Sequence, residues 1–429
     1  MPTYINKPPN ASNFVQSLRR FGYSFSSALA DIIDNSIFAK SSEISITYYP
    51  KETWLTILDN GLGMDKDELE QAMELGSGNP SATRDPKDLG RFGCGLKTAS
   101  FSQSTRLIVL SKKNKNLNGA IWDLDAIQND HKSWQLGILN SKEIDAYIEN
   151  YVNIDTNSGT LVIWENIDSI DIEETAGQKS QNHKIKTAKD DISLIFHRFI
   201  GKNLNLEFNG ETLKPLDPFL EGKSNNTDVQ KIEIPNTNSI VYMQGFTLPS
   251  PSRMTQEEQR KIELGVGLSQ TQGFYIYRNE RLITYGGWLG LERYQALTNL
   301  SRVKVDVPNS LDDSWQTDIK KTTMSPPPSI LNAMKILLQR FHDPSKNIYK
   351  RKAHKAVEDS KIWIRSENTI DNQILANYQV DKDSDYYIAL KKLVSTNESK
   401  NLETLISKIE EELPYASIFA DWADRKIIK

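Results

Sequence analysis

The chain has 429 residues, of which 38% are hydrophobic and 25% are charged, values typical of soluble globular proteins. This length exceeds what one hydrophobic core usually organises, so we expect two or three domains. The formal net charge of −4 gives no global attraction for nucleic acid, so DNA binding would need a local basic surface. The single cysteine, Cys94, cannot form an internal disulfide, and we see no secretion signal, so we expect a cytoplasmic protein without a membrane segment.

An amphipathic helix is predicted over residues 24–38. Its apolar stripe consists of Phe25, Ala28, Leu29, Ile32, Ile33 and Ile37. Asp31, Asp34 and Asn35 lie on the other side of this helix. Because Asp31 and Asn35 are one helical turn apart, a carboxylate and an amide project together and could hold a water beside a magnesium-bound triphosphate. The alternative is an ordinary solvated helix face.

A strand predicted over residues 54–58 delivers Asp59 into a turn that contains glycine. A carboxylate at the end of a strand can accept a hydrogen bond from an exocyclic amine, which selects adenine over guanine. Gly61, Gly63 and Met64 follow in the same turn. The alternative is a plain turn after a strand.

Residues 76–98 are rich in glycine, serine, proline and charge, which predicts a mobile lid leading into a helix. Glycines there would let backbone N–H groups approach phosphate oxygens, and Lys97 would add charge near a helix N-terminus. A P-loop is excluded because Leu96 separates Gly95 from Lys97, and a dinucleotide fingerprint would need a glycine at Thr98. A flexible loop with a free thiol is the alternative.

The rest of the chain predicts mixed α/β structure. In chain order we expect strands around 107–110, 120–124 and 160–164, a linker over 168–186, a helix at 190–199, strands around 204–208, 239–244, 273–277 and 302–307, and a helix over 330–340. Hairpin turns are predicted at 209–210 and at 278–280. From 340 to the end we expect mostly helix.

The three segments together resemble the GHKL superfamily, which includes gyrase B subunits, the heat-shock chaperone, MutL, histidine kinases and the MORC proteins. The resemblance implies an α+β protein with a Bergerat-type α/β sandwich that binds ATP and Mg²⁺. It makes Asn35 the magnesium ligand, Asp59 the acid that reads adenine, and Gly61, Gly63 and Met64 the turn beneath the base. Its phosphate lid would comprise Gly90, Gly93, Cys94, Gly95, Leu96, Lys97 and Thr98, and Thr160 would join the adenine network at the start of a later strand.

One position departs from the pattern of MutL, gyrase and MORC proteins. Those relatives usually carry glutamate as the general base, where this chain has Asp31. The carboxylate is kept but is one methylene shorter. A base misplaced by about 1 Å can slow a proton transfer roughly a hundredfold, so we expect slow hydrolysis.

A second region resembles the transducer domain of MORC-type ATPases, which has a ribosomal-protein-like fold. The matching segments are 208–210, 216–219, 273–279 and 318–322. By this resemblance Lys320 or Lys321 would reach the γ-phosphate; the alternative is that both lysines cover the surface. We therefore expect an ATP-binding domain over 1–185, a transducer over 186–328 and a mostly helical C-terminal region over 329–429.

The resemblance implies a clamp ATPase that dimerises when ATP binds and acts on DNA, within a bacterial DNA-processing or anti-phage defence system and with a nuclease or helicase as partner. The best local basic run is Lys346, Lys350, Arg351, Lys352 and Lys355. A protein-remodelling chaperone and an ATP-sensing adaptor with little hydrolysis stay open as alternatives. A histidine kinase is disfavoured, because none of the roughly twenty residues before the first motif is histidine.

Overall fold

The computed structural model describes residues 2–5, 9–76, 95–130, 134–151, 154–168, 177–234, 237, 239–312, 314–315, 324–360, 363–370 and 373–380. They form two large sheets with helices packed against them, followed by a separate hairpin. None of the helices in these ranges is long and apolar enough to cross a membrane.

The first sheet and its helices use the N-terminal half of the chain. The helices are α1 (Ala11–Arg19), α2 (Phe25–Phe38), α3 (Lys66–Met73), α4 (Gly95–Gln103), α5 (Leu124–Asp130), α6 (Ser141–Asn150) and α7 (Gly177–Ile195). The strands are β1 (Glu43–Tyr49), β2 (Trp54–Asp59), β3 (Ser104–Lys113), β4 (Asn116–Asp123), β5 (Gly137–Ile138), β6 (Gly159–Ile167), β7 (Asn205–Phe208) and β8 (Glu211–Thr212).

The strands of the first sheet have the order β5-β4-β3-β6-β2-β1-β7-β8, and every pair except β1–β7 is antiparallel. Alternate residues of each strand face opposite layers. Leu107 and Val109 of β3 pack with the core residues of α1, α2 and α7, whereas Ile108 and Leu110 pack with α6 on the other face. This layer of helices α1, α2 and α7 on one face of the sheet forms the setting of the candidate site.

The second sheet is built from β9 (Asn225–Asn226), β10 (Gln230–Glu233), β11 (Ile240–Thr247), β12 (Gly273–Arg278), β13 (Arg281–Tyr285) and β14 (Ser301–Val307). Short helices α8 (Gln256–Glu263) and α9 (Leu268–Thr271) lie between its strands, and α10 (Pro328–Ser360) follows. The order is β10-β11-β14-β12-β13, with β12 parallel to β14. One face packs on α10 through residues such as Val303, Val305 and Phe341.

The opposite face of the second sheet meets the end of α7. Leu194 joins a buried cluster with Tyr275 and Tyr277 of β12. Nε2 of His197 lies 2.7 Å from the Tyr277 hydroxyl, and Arg198 pairs with Asp306 of β14. The second sheet therefore contacts α7 and the segment that follows it through buried apolar and polar groups.

The mixed α+β class and the sheet-and-helix first domain are confirmed. The helix over 24–38, the strands around 273–277 and 302–307, and both hairpin turns also match the structure. The linker prediction is wrong for residues 177–186, which begin α7. Among the side chains described in this helix, the buried ones, such as Ala188 and Ile192, lie in its second half. Its first half is polar and has no apolar periodicity that would predict a helix.

Two further placements differ from the sequence reading. Strand β7, predicted in the second domain, pairs with β1, and β8 pairs with β7, so the first sheet extends to Thr212. The C-terminal prediction holds for α10, but β15 (Trp363–Ile370) and β16 (Gln373–Val380) form an antiparallel hairpin rather than helix. Both strands are rich in β-branched and aromatic residues, which favours extended structure. The domain boundaries at 185 and 328, and the transducer assignment, stay predictions.

Candidate functional site

Helix α2 supplies the first side chains of the site. The Ser24 hydroxyl oxygen caps the helix by accepting a hydrogen bond from the Ser27 amide. The apolar stripe of the helix packs into the hydrophobic core between the first sheet and its helices, which we call the first core. The structure then separates Asp31 from Asn35: the Asp31 side chain is 1% exposed, whereas Asn35 is exposed. The helix therefore presents the Asn35 amide to solvent and buries the Asp31 carboxylate between helices.

The Asp59 carboxylate lies at the end of β2 and is held from two sides. Its Oδ2 accepts a hydrogen bond of 2.8 Å from the Ser36 hydroxyl, and its Oδ1 accepts one of 2.9 Å from the Gly61 amide. Because Ser36 directly follows Asn35, this contact brings the end of β2 against α2. The segments read separately in the sequence thus meet at one place.

Burial raises the pKa of the Asp59 carboxyl above its ordinary value of 3.8. This effect outweighs the hydrogen bonds from Gly61, Ser36 and Thr160, each of which lowers the pKa. A buried acceptor with a raised pKa is typical of functional sites.

The turn after β2 needs glycine at two positions. A Cβ on Gly61 would lie 2.8 Å from the Ala39 carbonyl oxygen and 3.0 Å from Oδ1 of Asp59. Gly63 has a φ of +65°, and a Cβ there would lie 1.8 Å from the Lys112 carbonyl oxygen. The turn therefore approaches both α2 and β3 more closely than any side chain would allow.

A row of polar residues crosses the sheet at this end. Asp59 of β2 pairs with Thr160 of β6, and Thr160 pairs with Ser111 of β3. The Ser111 and Thr160 hydroxyl oxygens are 2.9 Å apart, and Ser111 also accepts a 2.8 Å hydrogen bond from the Met64 amide. Directly paired residues share one face of a sheet, so the row lies beneath the helices.

Helix α4 begins at Gly95, beside Asp31. A Cβ on Gly95 would lie 3.6 Å from Oδ2 of Asp31, so the first turn of α4 approaches this carboxylate closely. Leu96 packs partly buried against the first core. The Lys97 side chain is 2% exposed, and its ammonium donates a 2.8 Å hydrogen bond to the Ala72 carbonyl at the end of α3. A phosphate contact from Lys97 stays a prediction.

The Asp31 carboxylate contacts groups from two other parts of the chain. Its Oδ2 accepts a 2.9 Å hydrogen bond from the Tyr23 hydroxyl, which lies 3.4 Å from Oγ1 of the buried Thr98. Its Oδ1 lies 3.7 Å from Nη2 of Arg281, whose Nε donates a 2.9 Å hydrogen bond to Asp34. Arg281 belongs to β13 of the second sheet.

Several predicted site residues lie outside the described residues. These are Gly90, Gly93 and Cys94 of the lid, and Lys320 and Lys321. The basic run of residues lies on α10: Lys346 is half-buried there, and the other four side chains are not among those described. Their proposed roles stay predictions.

Four contributors were not found from the sequence: Tyr23, Ser36, Ser111 and Arg281. Ser36 stands inside the first motif, and Ser111 is a polar residue that directly follows the apolar run 107–110, so both had a weak local signal. Arg281 had none, because its partner Asp34 is 247 positions away in the chain.

Residues 23–160 match the sequence profile of the family described as histidine kinase-, DNA gyrase B- and HSP90-like ATPases. The chain is 34% identical over 98 residues to the ATPase MORC2B of Mus musculus and 29% identical over 104 residues to the ATPase morc-1 of Caenorhabditis elegans. These alignments cover 21% and 24% of this chain. A third relative, the chaperone protein HtpG of Campylobacter jejuni, is 31% identical over 121 residues, which is 25% of this chain.

The chain spans only 9%, 12% and 19% of the lengths of these three relatives. The family profile over residues 23–160 covers α2 and most strands of the first sheet, where the candidate site lies.

Proposed function

We infer that this chain, whose residues 23–160 form an ATPase domain of the GHKL type, binds Mg-ATP at the site around Asp59 and works as an ATP-driven clamp. In this proposal two copies close when ATP binds, and hydrolysis reopens them. The cargo that we propose is DNA.

One observation carries the ATP-binding part of the proposal: the buried Asp59 carboxylate at the end of β2. Ser36 and the Gly61 amide fix its two oxygens, and the polar row through Thr160 continues beside it. A fixed acceptor of this kind suits the exocyclic amine of adenine, which guanine lacks at that position. The close turn at Gly61 and Gly63 leaves backbone rather than side chains beside the carboxylate.

The residues also fit a magnesium ion bound together with phosphates. Mg²⁺ prefers oxygen ligands, keeps several waters and is commonly held by one or two side chains plus substrate phosphates. The exposed side-chain amide of Asn35, which directly precedes Ser36 in the chain, supplies one such oxygen. The metal would neutralise phosphate charge.

Asp31 is the proposed general base. Its carboxylate, one turn before Asn35 and next to the first turn of α4, would orient a water and accept its proton. The positive end of the α4 dipole favours negative charge at this place. Lys320 or Lys321 would add a second cation from the region after the second sheet.

The proposed clamp would close around DNA. Similarity to the ATPases MORC2B and morc-1 supports the ATP hydrolysis that would drive it. A clamp could contact DNA phosphates through the basic run on α10. A place in a bacterial DNA-processing or anti-phage defence system, with a nuclease or helicase partner, completes this proposal.

A chaperone-like ATPase is the second candidate, and the similarity to the chaperone protein HtpG favours it. The same nucleotide cycle would then remodel a protein client. An adaptor that senses ATP with little hydrolysis is a third candidate, supported by the short Asp31 side chain that lies close to Arg281.

The first experiment measures solution mass by light scattering, with and without Mg²⁺ and a non-hydrolysable ATP analogue. We expect the wild-type mass to double with nucleotide and the mass of Asn35→Ala to stay unchanged. Asn150→Ala, at the exposed end of α6 on the opposite face of the sheet, is the matched control and should behave like wild type. Binding without a change of mass contradicts the clamp, and absence of binding contradicts the ATP site.

A second experiment separates DNA from a protein client. The protein is closed with the analogue on circular or linear plasmid and then washed with high salt, which removes phosphate contacts that depend on counterion release. A DNA clamp stays on the circle and slides off the linear form. No retention, together with nucleotide-dependent suppression of client aggregation, favours the chaperone.

A further inference from the structure

A cation from the second sheet lies beside the two acidic residues of α2. Nε of Arg281 donates a 2.9 Å hydrogen bond to Oδ1 of Asp34, and its Nη2 lies 3.7 Å from Oδ1 of Asp31. All three side chains are at most 3% exposed. The guanidinium also lies over the Phe196 ring, 5.9 Å from its centre.

The Asp31 carboxylate is oriented from two directions. One oxygen faces Arg281, and the other accepts the hydrogen bond from Tyr23, which in turn approaches Thr98 of α4. Each contact comes from a different element of the fold. These neighbours fix the orientation in which the short aspartate side chain presents its carboxylate.

Asp31 and Asp34 could not both remain charged in this buried place without a cation. Two buried carboxylates repel each other, and an uncompensated buried charge is costly. Arg281 supplies the opposing charge, but it does so from the first residue of β13, in the other sheet. The arrangement of the two acids therefore depends on how the second sheet is docked.

The docking around Arg281 is itself specific. The hairpin of β12 and β13 is tied to the segment after α7 by the His197–Tyr277 contact and by Arg198, which lies 3.8 Å from Glu280. A movement of the second sheet relative to α7 would carry Arg281 with it, since Glu280 precedes Arg281 directly.

We propose that Arg281 is a positioning residue for Asp31: it ties the orientation of the candidate base to the position of the second sheet. This inference rests on the proposed function, because it gives Asp31 its role in hydrolysis. It makes turnover, rather than nucleotide binding, sensitive to the contact between the two sheets.

The test compares ATP turnover with binding of the non-hydrolysable analogue in Arg281→Gln. We expect kcat to fall by about 10- to 100-fold, the range for a base displaced by roughly 1 Å. The dissociation constant of the analogue should change by less than about threefold, because Asp59 is held by Ser36 and Gly61 rather than by Arg281. Arg281→Lys, which keeps the charge but not the planar fork, should recover part of kcat.

Two further variants distinguish positioning from general stability. Arg278→Gln is the matched control: Arg278 is equally buried on the same hairpin but pairs with Asp312, at 2.6 and 2.7 Å. It should lower the melting temperature and leave kcat within about twofold at a temperature where it is folded. The double variant Arg281→Gln/Asp34→Asn removes one acid together with the cation, so we expect it to regain at least about fivefold in kcat over Arg281→Gln.

The outcomes separate the two proposals. If wild type binds the analogue but does not turn over ATP, the general-base part of the proposed function fails and this inference fails with it. If wild type turns over ATP and Arg281→Gln keeps its kcat, the inference alone is wrong. It is equally wrong if Arg278→Gln lowers kcat as much as Arg281→Gln, or if the double variant gives no recovery.

Discussion

The Ser36 hydroxyl donates a 2.8 Å hydrogen bond to the Asp59 carboxylate, and it does so from the position next to Asn35. This contact joins α2 to the end of β2 and places the candidate magnesium ligand beside the candidate adenine acceptor. Neither α2 nor β2 alone could place Asn35 and Asp59 so close together. The following predictions depend on this alignment and on the packing around it.

Asp59→Asn should weaken ATP binding by about 10- to 100-fold, because an amide nitrogen would replace one of the acceptor oxygens and leave a buried donor facing Ser36 or the Gly61 amide. Calorimetric titration with the ATP analogue measures the effect. Asp228→Asn, at a side chain that is 94% exposed, is the control and should bind like wild type. Unchanged affinity in Asp59→Asn would remove Asp59 from the nucleotide site.

Asp59 should also leave a signature in the pH dependence of stability. Burial raises its pKa in the folded state, so between its unfolded value and its folded value the folded protein binds more protons than the unfolded chain. This contribution is therefore present at low pH and is lost as the pH rises through the folded pKa. The free energy of unfolding of wild type, relative to Asp59→Asn, should fall as the pH rises above about 4.

Urea unfolding of both proteins at several pH values tests this point. A wild-type stability that rises relative to Asp59→Asn over the same interval would show that the hydrogen bonds to Asp59 outweigh its burial.

Gly63→Ala should destabilise the first domain by about 2 kcal/mol or more, because a Cβ at a φ of +65° would also meet the Lys112 carbonyl oxygen at 1.8 Å. Gly76→Ala is the matched control. Gly76 has a φ of +80°, but a Cβ added there would meet no atom of the described residues within 4 Å, so the backbone strain alone should cost about 1 kcal/mol. Chemical unfolding of both variants gives the comparison, and equal losses would contradict the close approach of this turn to β3.

His197 should make the protein less stable as the pH falls. Burial lowers its pKa to about 3, so the folded protein keeps this ring neutral while the unfolded chain protonates it below its ordinary value of 6.5. The contribution of the neutral His197 ring to the free energy of unfolding is complete above pH 6.5. It is lost as the pH falls toward the pKa of His197 in the folded protein. From pH 7 to pH 5 the loss should be about 2 kcal/mol, since the unfolded pKa alone sets this part of the curve.

His197→Gln should lack this part of the pH dependence, which urea unfolding at pH 7 and pH 5 measures. His183→Gln, at an exposed histidine of α7, is the matched control and should lose as much stability as wild type over this interval. An identical loss in His197→Gln would mean that another group causes the acid sensitivity.

The sequence alone was sufficient for much of the candidate site. The helix over 24–38, the strand that ends at Asp59 and the close glycine turn follow from short-range rules: apolar spacing, alternation and the backbone freedom of glycine. Each of these rules depends on a few neighbouring residues, so it can be applied to a single sequence without knowledge of the tertiary structure. The family profile over residues 23–160 agrees with that reading.

The tertiary structure decided which residues meet. Strands β7 and β8 joined the first sheet because β7 pairs with β1, about 160 positions earlier, and no local pattern encodes such a pairing. The same holds for the Ser111–Thr160 hydroxyl contact, which depends on the register of β3 against β6. The ion pair of Arg281 with Asp34 was the contact least accessible to prediction from the sequence. The residue types alone do not make these two residues partners; their shared burial between α2 and the second sheet does.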